Sequence, residues 1–214
     1  CKCNHKNIYI TIDIYHTMIY NNTMIKDLFK IGIFSIDLNL DVKAISDYCI
    51  EYRKNDVEPN TPGTLSNSGG YHSSYLQGKH LILNTLFQKI TEHANVYSQA
   101  LGFTNSRKIE DIWININGYR DYNIEHSHSG CILSGVYYTQ TPKDCGNIIF
   151  YPPHIDVLQA NWYNEEKNSL YNYSNFWMPS ITNRLYLFPN WLRHGVESNM
   201  NKDEERISLS FNIT

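Results

Sequence analysis

Two histidines one residue apart, in Glu125-His126-Ser127-His128, and a third far downstream at His194, are the side chains of this sequence best suited to hold one metal ion. On an extended strand, residues two apart project to the same face, so His126 and His128 can reach a single ion while His194 completes a facial triad. After His194 comes Arg206-Ile207-Ser208-Leu209-Ser210-Phe211-Asn212-Ile213, in which Arg206, Ser208, Ser210 and Asn212 share one strand face and the four apolar residues the other. A purely structural terminal strand would usually turn such a polar face to water. Following a candidate metal ligand, the same face can supply a permanent cation and a hydroxyl beside the ion. Three imidazoles and one arginine therefore suggest a mononuclear metal site with an anion pocket next to it.

The elements that must position these residues are short. Asp41 offers an N-cap for a helix carrying Ile45, Cys49 and Tyr52 and ending near Arg53, preceded by an extended segment through Ile31, Ile33, Ile36 and Leu38. Residues 55–70, rich in Pro, Gly, Asn and Ser, read as a long loop. Leu83, Leu86, Phe87, Ile90, Ala94, Tyr97 and Leu101 recur at helical spacing, with Gly102 as C-cap. Beyond Lys108 the texture changes to β-rich runs at 112–117, 131–139, 147–151, 184–188 and 206–213, separated by Gly, Pro, Asn and Asp. Strands in succession without intervening helices predict a mainly β (α+β) fold: an antiparallel jelly roll whose two sheets enclose a pocket, with N-terminal helices packed on it. The helical part spans about 41–102, the β core about 108–214, and both belong to one domain of 24–214, in which Met24 is a conceivable natural start. Residues 1–23 form an extension with no clear period.

Bulk properties exclude several classes. A formal charge of −3, from 18 basic and 21 acidic residues among 214, carries no signature of a nucleic-acid or membrane partner. No apolar run approaches the roughly 20 residues of a membrane span, and residues 1–20 lack the apolar stretch of a secretion signal, which predicts a soluble cytoplasmic protein. Five cysteines without regular spacing argue for reduced thiols, and Cys1-Lys-Cys3-Asn-His5 lacks the second Cys pair of a zinc clip.

With these residues in view, the chain resembles the 2-oxoglutarate and Fe(II)-dependent oxygenases, whose double-stranded β-helix carries an H-x-D/E pair, a distal His, and an Arg or Lys near a Ser on the last core strand. It is more closely similar to a group of such oxygenases in marine bacteria and phages, through the blocks Ser66 to Ser73, Trp113-Ile-Asn115, Asn123-Ile-Glu-His126-Ser-His128, Ser134-Gly-Val-Tyr137-Tyr138, Leu187-Phe-Pro189 and Arg206-Ile-Ser208. The resemblance implies Fe(II) held by His126, His128 and His194, and 2-oxoglutarate bound through Arg206, Ser208 and Tyr137, with Tyr138 pointing to the opposite face. It also implies O2 and an unidentified small-molecule or protein substrate as reactants, the reaction being a hydroxylation coupled to decarboxylation of 2-oxoglutarate to succinate. Asn115, Asn123 and His72 become candidates for the substrate side, and the segment 161–179 for a lid. Nothing in the sequence fixes the substrate or an oligomeric state.

The sequence departs from the superfamily at His128, where a carboxylate is usual; His154-Ile-Asp156 is a rival motif with an orthodox His-carboxylate pair. Two other readings stay open. One is a three-His iron dioxygenase that dispenses with 2-oxoglutarate, so that Arg206 binds a substrate carboxylate. The other is a non-enzymatic jelly-roll module that keeps the histidines as structural metal ligands.

Overall fold

The computed structural model describes residues 17–20, 23–26, 28–60, 66–76, 80–162 and 171–214. By internal packing the chain divides into two compact units, 1–32 and 33–214. In the first, strands β1 (Thr17–Tyr20) and β2 (Thr23–Lys26) form an antiparallel hairpin.

The second unit places two antiparallel sheets face to face. One has the order β10 (Phe176–Pro179), β9 (Asn147–Phe150), β12 (His194–Val196), β7 (Tyr122–His126), β4 (Asn67–Ser68). The other runs β3 (Phe34–Asp37), β11 (Arg184–Pro189), β8 (Leu133–Gln140), β13 (Arg206–Ile213), β6 (Ile109–Asn117), β5 (Tyr71–His72). Neighbours in the order are far apart in the chain, which is the crossing pattern of a jelly roll. The expected fold class is thus the observed one, and the β runs begin and end within about three residues of their predicted limits.

Helices cover the outer face of the six-stranded sheet. Helix α1 (Val42–Asn55) begins where Asp41 caps it, Oδ1 accepting from the Ala44 amide at 3.1 Å, and it buries Ile45 and Cys49 one turn apart. Helix α2 (Asn84–Ala100) buries Leu86, Ile90, Ala94 and Tyr97 along one stripe. It stops at Gly102, whose φ of +90° is accessible to a residue without a Cβ, while the Phe103 amide returns to the Ser98 carbonyl at 3.0 Å. These side chains pack on Ile112, Ile114 and Ile116 of β6 and Ile207, Leu209, Phe211 and Ile213 of β13, forming the larger core.

Period-2 alternation then dictates the inner face. On β6 it presents Asp111, Trp113, Asn115 and Asn117, and on β13 Arg206, Ser208, Ser210 and Asn212, the two strands being in register with Arg206 opposite Asn117 and Asn212 opposite Asp111. This polar face does not meet water: Arg206, Ser208, Asn115 and Asn117 are all buried. A smaller apolar cluster, including Val136, Tyr138, Ile148, Phe150, Tyr186 and Phe188, fills the remaining space between the sheets. At Gly135 on β8, an added Cβ would lie 2.5 Å from the Phe211 ring and 2.7 Å from the Tyr186 carbonyl oxygen, so only glycine lets these strands approach.

Several expected features differ. The loop expected over 55–70 contains β4 from residue 67, and β5 follows at 71–72. Residues 176–179 of the expected lid form β10, paired to β9, and 155–162 form a short helix, α3. The centre of that lid and the Cys1-Lys-Cys3-Asn-His5 segment lie outside the described residues.

Candidate metal and anion site

The three histidines converge between the sheets. β7 and β12 are antiparallel neighbours with His126 directly opposite His194, their ring centroids 4.3 Å apart. His128 lies two residues beyond His126, just past the end of β7. Its backbone is held by Asn190, whose carbonyl accepts from the His128 amide at 2.9 Å and whose Nδ2 donates to the His128 carbonyl at 3.0 Å. The His128 ring stacks on His194 at 5.2 Å, and a single ligand nitrogen from each histidine lies within 4.8 Å of the other two.

Which nitrogen faces the centre is set by the backbone. Nδ1 of His126 pairs with the Ile124 carbonyl at 2.8 Å and Nδ1 of His194 with the Leu192 carbonyl at 2.9 Å, so each Nδ1 carries the proton and each Nε2 a free lone pair. Burial lowers the pKa of His126 and of His194, and burial together with the neighbouring His126 brings His128 down to about 4. All three are neutral near pH 7, the state a metal requires. Among the described residues, no carboxylate joins this cluster. The rival pair is elsewhere: His154 is exposed ahead of α3, and Asp156 is exposed in its first turn.

The cavity these rings border has Arg206 on its wall. Arg206 is 1% exposed. Its Nη1 donates to the Glu197 carbonyl at 2.9 Å and to the Cys145 carbonyl, while Nη2 is buried without a partner. Two other groups on the same wall are also unsatisfied, the Tyr138 hydroxyl and Oδ1 of Asn115. The Ser180 hydroxyl is close enough to perturb Tyr138 but has no partner of hydrogen-bonding geometry itself. Burial pushes Tyr138 up to about 12, which leaves it a neutral donor. Unpaired buried donors cost about 1–3 kcal/mol each. Arg206 Nη2 and the Tyr138 hydroxyl are two such donors on one wall, which suits an anion, whereas Oδ1 of Asn115 is an acceptor and calls for a donor.

The expected placement of the two adjacent tyrosines is reversed. Tyr137 belongs to the helix-side core and donates to Asn183 Oδ1 at 2.6 Å, whereas Tyr138 lines the cavity, paired in register with Ser208. The physical reason is the parity of β8: Leu133 and Tyr137 must face the helices because Gly135, between them, accommodates Phe211 of that core. The other candidates fall where their strands put them. Ser208, Asn115 and Asn123 line the cavity, Asn115 donating to Ser210 Oγ at 3.0 Å. His72 is buried in a second, outer cavity that shares Ser66, Trp113, His126 and His128 with the first; its ring stacks on Trp113 at 5.7 Å. Asn190 is a site residue the sequence did not single out, and Tyr138 one it placed on the opposite face.

Residues 111–212, which span every one of these groups except His72 and Ser66, match a family model described as "Putative 2OG-Fe(II) oxygenase". Over that span the chain is similar to the 2-oxoglutarate and Fe(II)-dependent oxygenases. These are oxidoreductases that use Fe(II) with 2-oxoglutarate as cosubstrate. A search of curated proteins returns no match. Among solved structures, a prolyl-4-hydroxylase from Pseudomonas putida superimposes with a TM-score of 0.57 at 14% identity, over 86% of this chain and 93% of that one. A prolyl hydroxylase from Trichoplax adhaerens in complex with a hypoxia inducible factor peptide gives 0.56 at 16% identity, over 85% and 83%. The non-heme alpha ketoglutarate dependent epimerase SnoN from nogalamycin biosynthesis gives 0.61 at 14%, over 86% and 78%. At such identities the likeness is one of fold. Among the described residues, no helix is long and apolar enough to cross a membrane.

Proposed function

We propose that the protein is a 2-oxoglutarate-dependent hydroxylase in which His126, His128 and His194 hold Fe(II), and in which Arg206, Ser208 and Tyr138 bind the far carboxylate of 2-oxoglutarate. The observation that carries this reading is a buried arginine with an unpaired Nη2 in the cavity that three neutral imidazoles border. The donor set suits the group. A divalent ion on three neutral ligands keeps its full positive charge, so an anionic, chelating cosubstrate is favoured over a neutral one. The bound iron would supply activation of O2, with the overall balance substrate–H plus O2 plus 2-oxoglutarate giving substrate–OH, succinate and CO2.

The chain's own residues do the positioning. Carbonyls of Ile124 and Leu192 orient two rings, and Asn190 holds the backbone of the third. Carbonyls of Cys145 and Glu197 pin Nη1 of Arg206, so Nη2 can meet a carboxylate without reorganisation. Tyr138 and Ser208 add hydroxyl donors, and Ile148, Phe188 and Val196 give the same cavity apolar walls that limit water. Hydroxylation is the outcome suggested by fold likeness to prolyl hydroxylases, and the epimerase of the same fold shows why product analysis must decide it.

Anaerobic Fe(II) loading followed by 2-oxoglutarate titration, then oxygen exposure with succinate detection, tests the reading. It requires metal-dependent 2-oxoglutarate binding that Arg206→Ala abolishes, with succinate formed on exposure to oxygen. Oxygen consumption without 2-oxoglutarate binding would instead select a three-His dioxygenase, the reading that the absence of a carboxylate from the cluster favours.

A further inference from the structure

The inner polar faces of β6 and β13 carry opposite charges at their two ends. Asp111 opposes Asn212 at one end and Arg206 opposes Asn117 at the other, six residues along each strand and therefore about 20 Å apart. Arg206 lines the inner cavity. Asp111 lines the outer one, which meets the inner cavity at Ser66, Trp113, His126 and His128.

Asp111 is the only formally charged residue among the described residues lining the outer cavity. Among the described residues no ion pair is found for it, and its carboxylate accepts a long contact of 3.4 Å from Asn212 Nδ2. Beside it the wall is aromatic: Tyr75 lies 5.8 Å from the Trp113 ring, tilted against it, and His72 and His128 stack on Trp113 at 5.7 and 5.9 Å. A half-buried carboxylate beside aromatic rings attracts an ammonium or guanidinium by charge and by cation–π attraction together, and repels a carboxylate. Ser127 and Ser129 add hydroxyls around the opening.

We infer that the outer cavity selects a prime substrate bearing a cationic amine or guanidinium, held by Asp111 and the Trp113–Tyr75 wall with the rest of its carbon chain extended toward the histidines. The inference deepens the oxygenase reading and rests on it for the word substrate. The cation site itself is a property of the cavity.

Two sources share this chemistry, a basic protein side chain and a free alkylamine. The experiment is calorimetric titration of the full chain, both metal-free and loaded anaerobically with Fe(II) and 2-oxoglutarate, using two cations and their neutral isosteres. The cations are Nα-acetyl-lysine N-methylamide and n-pentylamine; the neutral probes are Nα-acetyl-norleucine N-methylamide and 1-pentanol. At least one cation should bind about tenfold tighter than its neutral counterpart, a preference that Asp111→Asn removes and Asp111→Lys turns toward Nα-acetyl-glutamate N-methylamide. Tighter binding of the capped lysine indicates a protein side chain, and tighter binding of pentylamine a free amine. Thermal unfolding confirms that each variant is folded. Equal binding of cations and neutral isosteres, no binding of either cation, or a cation preference that survives Asp111→Asn overturns the inference. If 2-oxoglutarate fails to bind while the Asp111-dependent preference persists in metal-free protein, the oxygenase reading falls and the cation site stands.

Discussion

At the scale of single residues, Tyr137 and Tyr138 separate the roles of neighbours that sequence cannot distinguish. Tyr138→Phe should weaken 2-oxoglutarate about tenfold with little change in folding, because it removes an unpaired hydroxyl from the cavity wall. Tyr137→Phe should leave cosubstrate affinity unchanged and cost on the order of 1 kcal/mol of stability, through its lost bond to Asn183. Calorimetry and urea unfolding of both variants check the pair, and the reverse pattern would return Tyr137 to the site. The histidines set a pH dependence with a definite sign. His128 has a folded pKa of about 4 against 6.5 for the free side chain, and His126 and His194 shift the same way. The unfolded chain therefore binds more protons below pH 6.5. The stability held above that pH declines as pH falls toward 4, by at most about 1.4 kcal/mol per histidine per unit. Urea unfolding of metal-free protein at pH 7.5, 5.5 and 4.5 should show this loss, and His128→Gln should flatten the slope. An identical slope in that variant would show that His128 is not buried as described.

At the scale of elements, strand parity decides which residues reach the site, and parity was legible only where alternation was clean. β13 alternates polar and apolar without exception, so the sequence alone assigned Arg206 and Ser208 to one face, and the structure encloses that face between sheets. β8 has no such alternation: Ser134, Val136 and Tyr138 face inward and Leu133, Gly135 and Tyr137 outward, and neither set is distinctly polar. The deciding feature there is Gly135 against Phe211, a contact between strands more than 70 positions apart that no local pattern reveals. Gly135→Ala should accordingly destabilise by about 1–3 kcal/mol through overpacking, read in urea unfolding. A neutral substitution would mean the strand pair can spread freely. The helices were legible for the opposite reason, since the Asp41 cap, the Leu86-Ile90-Ala94 stripe and Gly102 are all local signals. β4, β5 and β12, of two or three residues each, exist through pairing with distant strands and left no period to read.

At the scale of the whole molecule, the two sheets bring together histidines 126, 128 and 194 with an arginine from the last strand, and order along the chain was enough to expect the set. It was not enough to choose between His128 and the carboxylate of Asp156; the structure gathers His128 with His126 and His194 and leaves His154 and Asp156 exposed at α3. A ligand that bridges both sheets should stabilise the fold as a unit. Fe(II) with 2-oxoglutarate at a hundredfold excess over its dissociation constant should add about 2.7 kcal/mol to unfolding, reversed by a chelator. A melting temperature indifferent to both would mean that the site does not load. Anaerobic calorimetric titration of 2-oxoglutarate into the wild type, His194→Ala and Arg206→Ala, each with and without Fe(II), tests the central claim most directly. The account predicts 1:1 binding by the wild type only when Fe(II) is present, and its loss in both variants. Binding of equal strength without metal, or undiminished in Arg206→Ala, would contradict it.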